Sequence, residues 1–161
     1  MNDDVEGLWQ AIENSQVATT IQQSVWAYPA LEIVHFLGIV MLVGPAFLFD
    51  LRLLGIAGKL PVKALALYLL PWSRRALLLI VPSGLLLFST NAVALAADPV
   101  FIVKLSIIVI AGLNAGIFHF FQFPDTPNWS KEHTPKTAKI IAIVSIVCWL
   151  TVITCGRLLA Y

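Results

Sequence analysis

Four ionisable side chains sit inside long apolar runs of this chain: Glu32, His35, Lys104 and His119. At the centre of a membrane helix such a group costs several kcal/mol, about 2.5–3.5 on insertion scales, so each requires a partner or a task. Tyr28, Glu32 and His35 are spaced i, i+4, i+7 and share one helix face, which must turn away from lipid. Lys104 lies at matching depth on a later run, and Arg157 and Tyr161 return to that side at the end of the chain. A neutral imidazole is a common ligand of haem iron, copper and zinc. His35 is therefore a candidate axial ligand for a non-covalent haem b, with Glu32 or another acceptor orienting its second ring nitrogen. Lys104 or Arg157 would face the propionates, and Tyr28 stands one turn before Glu32. Without a cofactor, the same residues read as a Glu32–Lys104 ion pair with His35 hydrogen-bonded beside it, fixing helix packing only. They also suit a proton-linked transporter or channel subunit.

His119 belongs to a second layer. Counted from the starts of two runs that point the same way, it lies about 20 Å from His35 along the membrane normal. The two histidines therefore do not share an ion or an iron within one subunit. One histidine per chain cannot build a multi-ligand centre, but copies of His119 around a symmetry axis would converge, and three imidazoles suit copper or zinc. Asp50, Arg52, Trp72, Arg74 and Arg75 read as charges and anchors at the cytoplasmic boundary of this layer. Glu-x-x-His is also half of a di-iron motif, yet Glu32 is the only glutamate inside a run, so one chain cannot complete that centre. His133 falls in a polar loop and reads as solvated. The chain has no Cys-x-x-Cys-His attachment, no Gly-rich phosphate loop and no nucleophile beside a base. Cys148 and Cys155, seven apart on one helix, are about 10 Å apart and beyond disulfide reach.

The elements that position these residues follow from composition. The 161 residues are 59% hydrophobic and 12% charged, with a mean hydropathy of +0.87. A soluble domain carries about twice that charge. A net charge of +1 leaves no field for a nucleic acid. The expected fold is an all-α membrane protein in a lipid bilayer, one integral domain over 1–161. Its four transmembrane helices are expected over 30–49, 76–97, 100–123 and 139–156, each near the 20 residues that a bilayer core needs. Residues 1–28 repeat apolar positions at helical spacing and read as an amphipathic interfacial segment anchored by Trp9, Trp26 and Tyr28, not as a signal peptide. Leu60 to Leu70 reads as a second interfacial piece, ending at Pro71-Trp72. Acidic residues precede the first span, while Arg52, Lys59, Lys63, Arg74 and Arg75 follow it and Lys131, Lys136 and Lys139 precede the fourth. That asymmetry puts both long loops in the cytoplasm and both termini outside. Gly44-Pro45 and Pro82 should kink the first two spans. Gly112 and Gly116 form a small-xxx-small pair through which a homo-oligomer could close on the third.

Trp26-Ala27-Tyr28-Pro29, Glu32-x-x-His35, Gly38, Gly44 and Asp50-Leu51-Arg52-Leu53-Leu54-Gly55 together resemble the first half of a family of small four-helix bacterial membrane proteins of unknown function. Leu70-Pro71-Trp72, Ser83-Gly84-Leu85-Leu86-Leu87-Phe88, Phe101-x-x-Lys104, Leu113-Asn114-Ala115 with His119, and Gly156-Arg157-Leu158 extend the likeness over nearly the whole chain from Trp26. The resemblance implies a four-helix fold in a bacterial inner membrane and no particular reaction. The architecture is also similar in a general way to four-helix b-type cytochromes, although those pair histidines of two helices at one depth. The reading that follows is a homo-oligomeric haem- or metal-binding membrane protein. It would serve electron transfer, or redox chemistry on a small molecule, with a redox partner that the residues do not specify. The alternatives are the proton-linked transporter and a structural partner of a larger complex.

Overall fold

The computed structural model describes residues 3–56, 60–122 and 134–159. His133, Tyr161, Lys59 and Lys131 lie outside the described residues. The elements are helices α1 (Asp3–Glu13), α2 (Gln16–Gln23), α3 (Ala27–Leu53), α4 (Val62–Ser89), α5 (Ala92–Ala97), α6 (Pro99–Ile117) and α7 (Lys136–Leu158), with a π-helical turn, Phe118–Gln122, continuing α6. Four segments are long and apolar enough to cross a bilayer: Ala27–Leu53, Val62–Ser89, Pro99–Phe121 and Lys136–Leu158. The four-span, all-helical expectation holds.

Two boundaries differ from it. Leu60 to Leu70 is not a separate interfacial piece, because its residues from Val62 onward form the first turns of α4, which passes through both Pro71 and Pro82. A proline that ends a helix in water can be accommodated within a membrane bundle, where neighbouring groups satisfy the carbonyl it frees. The same span also stops earlier, at Ser89 instead of Ala97. Ser89 Oγ donates to the Leu86 carbonyl (2.7 Å) and Thr90 Oγ1 to the Leu87 carbonyl (2.7 Å). These hydroxyls take over backbone acceptors at the helix end. A short turn through Asn91 starts α5, and Asp98 then caps α6 by accepting from the Val100 N–H (2.7 Å), with Pro99 in the first-turn position where it loses nothing.

The N-terminal pair does more than lie on a surface. Ser15 caps α2 through the Ala18 N–H, and Ala18 and Ile21 are buried. Glu13 accepts from the Val93 N–H at the start of α5 (2.9 Å), and Gln22 donates to the Thr90 carbonyl (2.8 Å). Trp9 meets Phe88 edge-on at 5.7 Å, and Phe88 stacks on Phe101 at 5.4 Å. Helices α1 and α2 are thus fastened over the corner where α4 hands over to α6.

The spans form two hairpins. Helix α3 packs along α4, α6 packs along α7, and the hairpins join where α3 meets α7. A Cβ added at Gly38 would sit 2.6 Å from Ile80 Cγ1, so only glycine lets α3 and α4 approach this closely. At the far end, Phe49, Leu53, Val62, Ala66, Phe118 and Ala142 form a buried cluster, with Phe49 and Phe118 edge to face at 5.2 Å. Helices α4 and α6 have no comparable contact and flank a cleft floored by α3 and α7.

Candidate site in the cleft

The cleft has a volume of about 1260 Å³. Its walls are mostly apolar, with Ile39, Leu42 and Val43 from α3, Leu77 and Ile80 from α4, and Ile108 from α6 among them. Polar groups cluster at its two ends, as in a site that buries a large apolar body and fixes its orientation with a few contacts.

At the first end, Tyr28, Glu32, His35 and Lys104 all line the cleft. The structure thus brings together four of the residues singled out by spacing. Tyr28 and Glu32 are exposed, while His35 and Lys104 are partly buried. Arg157 is exposed and is not part of the cleft wall, so it stands apart from the group. Glu32 and Lys104 form no ion pair among the described residues. Lys104 instead lies over the Gly156 backbone of α7, where a Cβ would be 3.5 Å from Nζ, and its charge acts on His35.

His35 is oriented by a residue that spacing alone did not single out. Its Nδ1 is 2.9 Å from Ser83 Oγ of α4, and its Cε1 rests where a Gly84 Cβ would come within 3.1 Å. Ser83 Oγ spends its one hydrogen on the Leu79 carbonyl, and the Ile80 backbone also accepts from the ring. With the hydroxyl hydrogen on the Leu79 carbonyl, the hydroxyl accepts from Nδ1, and that tautomer leaves the lone pair on Nε2. The signal in the sequence was the Pro82-Ser83-Gly84 triplet, a small polar residue next to a glycine in an apolar run.

At the other end are Asp50, Asn114, Ser145 and His119. His119 lies in the π-helical turn, is exposed, and meets Phe120 edge-on at 5.7 Å. The Phe49–Phe118 contact sets this end level with Phe49, which follows His35 by 14 positions. At the helix rise, 14 positions put the two histidine layers about 20 Å apart. No group of three or more His, Cys, Asp or Glu that could hold a metal ion occurs among the described residues. Gly112 and Gly116 also face the cleft, where an added Cβ would meet nothing within 4 Å.

Three charges sit elsewhere than the boundary reading put them. Asp50 and Arg52 are not at a solvated loop start: they are 6% and 2% exposed, buried in the last turns of α3. Gly55, with φ +105°, ends that helix, and the Ile56 N–H reaches back to the Leu51 carbonyl (3.0 Å). Arg52 Nε donates to the Leu60 carbonyl (2.6 Å). Ser145 of α7 hydrogen-bonds Asp50. Arg74 lies well inside α4, and the neighbouring Ser73 hydroxyl donates to the Leu42 carbonyl (3.0 Å), seven positions from both His35 and Phe49. Arg74 is therefore midway between the layers, on the cleft wall. Beside it, the Arg75 guanidinium is 5.5 Å from the Trp72 ring centroid. Side chains lean toward the N-terminus of their helix, so both arginines lean toward the Asp50 end.

A family model matches residues 17–161, from α2 through the end of the chain. No curated protein and no solved structure matches. The chain belongs to the family of unknown function DUF6644, the kind of assignment its motifs implied.

Proposed function

We propose that this member of a family without an assigned reaction is a membrane haem protein, with the cleft as its haem site and His35 as the residue that would hold the iron through Nε2. The observation that carries the reading is the 2.9 Å contact of His35 Nδ1 with Ser83 Oγ at the cleft wall. With Nδ1–H given to Ser83, the Nε2 lone pair would be free to hold a metal at the wall of an apolar cleft. Metal-binding imidazoles are oriented in this way, with the second ring N–H given to an outer acceptor. Lys104 offers a cation for a propionate, and Tyr28 and Glu32 border the same end. The bound iron would supply one-electron chemistry, for electron transfer or for reaction with a small molecule. The residues of the chain would bind and orient the macrocycle between apolar walls, with Lys104 supplying a cation for a propionate. The resemblance to small bacterial membrane proteins favours a bacterial inner membrane, and the asymmetry of basic loop residues favours both termini outside. The open Gly112–Gly116 face leaves room for a second copy or a flat ligand.

An absorption spectrum of protein purified without added haem tests this directly. A Soret band with sharp reduced α-bands is expected. His35→Ala should abolish it, and His119→Ala should leave it intact. Colourless protein free of iron would overturn the proposal. A second reading draws on the reach of the cleft, which runs from Glu32, His35 and Lys104 to Asp50 and Asn114. On that reading the protein is a proton-linked transporter, and pH-dependent flux in liposomes would be lost in Glu32→Gln.

A further inference from the structure

The inner end of the cleft contains a carboxyl that the haem reading does not use. Asp50 is 6% exposed, and its Oδ2 has no hydrogen-bond partner among the described residues. It forms part of the cleft wall, within a membrane span. Ser145 hydrogen-bonds the carboxyl from α7. Asn114 of α6 donates its amide to the Ile141 carbonyl (3.0 Å), one turn before Ser145, and lines the same end of the cleft. Three helices thus present oxygen-bearing side chains to one small region.

The charges around Asp50 do not neutralise it. Arg52 is two residues away, a spacing that puts side chains on opposite sides of a helix. It does not line the cleft, and its Nε is used by the Leu60 carbonyl. Arg74 on α4 and His119 in the π-helical turn also line the cleft, but neither forms an ion pair with Asp50 among the described residues. The cleft-lining residues of α6 and α7 near it, Asn114, Ile141 and Ser145, carry no charge. A buried carboxylate with one oxygen undonated is among the most costly groups a protein can hold, whereas the neutral acid is not. Protonation of Oδ2 removes the charge and converts the orphan acceptor into a donor.

We propose that Asp50 is a proton-binding site of the cleft: its carboxyl holds a proton as a neutral acid and exchanges it with the cleft that the residue lines. The site stands independently of the haem at the other end. Its substrate is the proton alone, and no electron is transferred.

The test is dicyclohexylcarbodiimide, an apolar reagent that adds to protonated carboxyls in membrane proteins. The acid proton moves to a reagent nitrogen, the carboxyl oxygen bonds to the central carbon, and acyl transfer then leaves a stable N-acylurea. Full-length protein in detergent at neutral pH should gain one adduct. Peptide mapping should place it on Asp50, and Asp50→Asn should lose it. An adduct confined to Glu32, or one that persists in Asp50→Asn, would overturn the proposal. Infrared spectra supply a readout that does not depend on reagent access. The wild type should show a neutral-acid carbonyl band that is missing from Asp50→Asn, and identical spectra would also overturn it. Haem content reports separately on the other reading.

Discussion

At the scale of single residues, the chemistry rests on which atom carries a proton. The face Tyr28–Glu32–His35 was legible because three polar residues at helical spacing cannot all meet lipid. The partner of His35 was not legible in the same way. Ser83 looks like one more small residue in a membrane helix, and only the crossing of α3 and α4 puts its hydroxyl 2.9 Å from Nδ1. Ser83→Ala should therefore act through His35. The loss of one hydrogen bond predicts a modest stability cost of about 1 kcal/mol, read from thermal unfolding in detergent. The effect on haem affinity should be larger, about 10–100-fold, as for other outer partners of a ligating histidine, and haem titration measures it. A Ser83→Ala protein with unchanged affinity would mean that the tautomer is fixed by something else. Asp50 and Arg52 show the opposite limit of the sequence. Their identities suggested a loop, whereas their burial depends on α3 continuing to Leu53 and on α7 packing beside it.

At the scale of elements, hydropathy located all four spans and missed their ends. A window average registers 76–97 as one apolar run because Ser89, Thr90 and Asn91 dilute it only slightly. The helix nevertheless ends there, since hydroxyls capture its last carbonyls. Pro71 misled in the other direction, because a proline marks a helix end in water more reliably than in lipid. The seam between α3 and α4 makes a sharper prediction than either boundary. At Gly38 an added Cβ would be 2.6 Å from Ile80 Cγ1 and 3.3 Å from the Ile80 backbone nitrogen. Gly38→Ala must push the helices apart and should cost about 1–3 kcal/mol, the usual range for overpacking. Gly44 lies on the same helix, but a Cβ there meets nothing within 4 Å. Gly44→Ala should be neutral or stabilising by up to about 1 kcal/mol, since glycine is the weaker helix former. Paired unfolding curves in one detergent measure the contrast. Equal effects at the two sites would show that the close approach at Gly38 does not limit the packing.

At the scale of the whole molecule, the order α4–α3–α7–α6 leaves the first and last of these helices without a shared seam. That arrangement is what makes the cleft. Neither the cleft nor its depth could be read from the sequence, because hydrophobic periodicity says which faces are apolar and not which pair goes unpaired. The Gly112–Gly116 spacing illustrates the ambiguity. It suggests a closely packed helix, yet within one chain both glycines open on empty space. If the cleft is a binding site, filling it should separate binding from folding. Gly112→Phe places a ring where nothing stands within 4 Å of the new Cβ, so the fold should tolerate it. Thermal unfolding of the ligand-free variant should then match the wild type within about 0.5 kcal/mol, as for a substitution away from packed features. Haem content on purification should fall sharply, although His35, Ser83 and Lys104 are all intact. A homo-oligomer closed through Gly112 gives a different signature, in which the variant loses its assembled mass in native mass spectrometry and keeps its absorption spectrum. Loss of haem with the assembly unchanged would assign the open glycine face to the ligand, because only the cleft, and no contact between copies, would then have been altered.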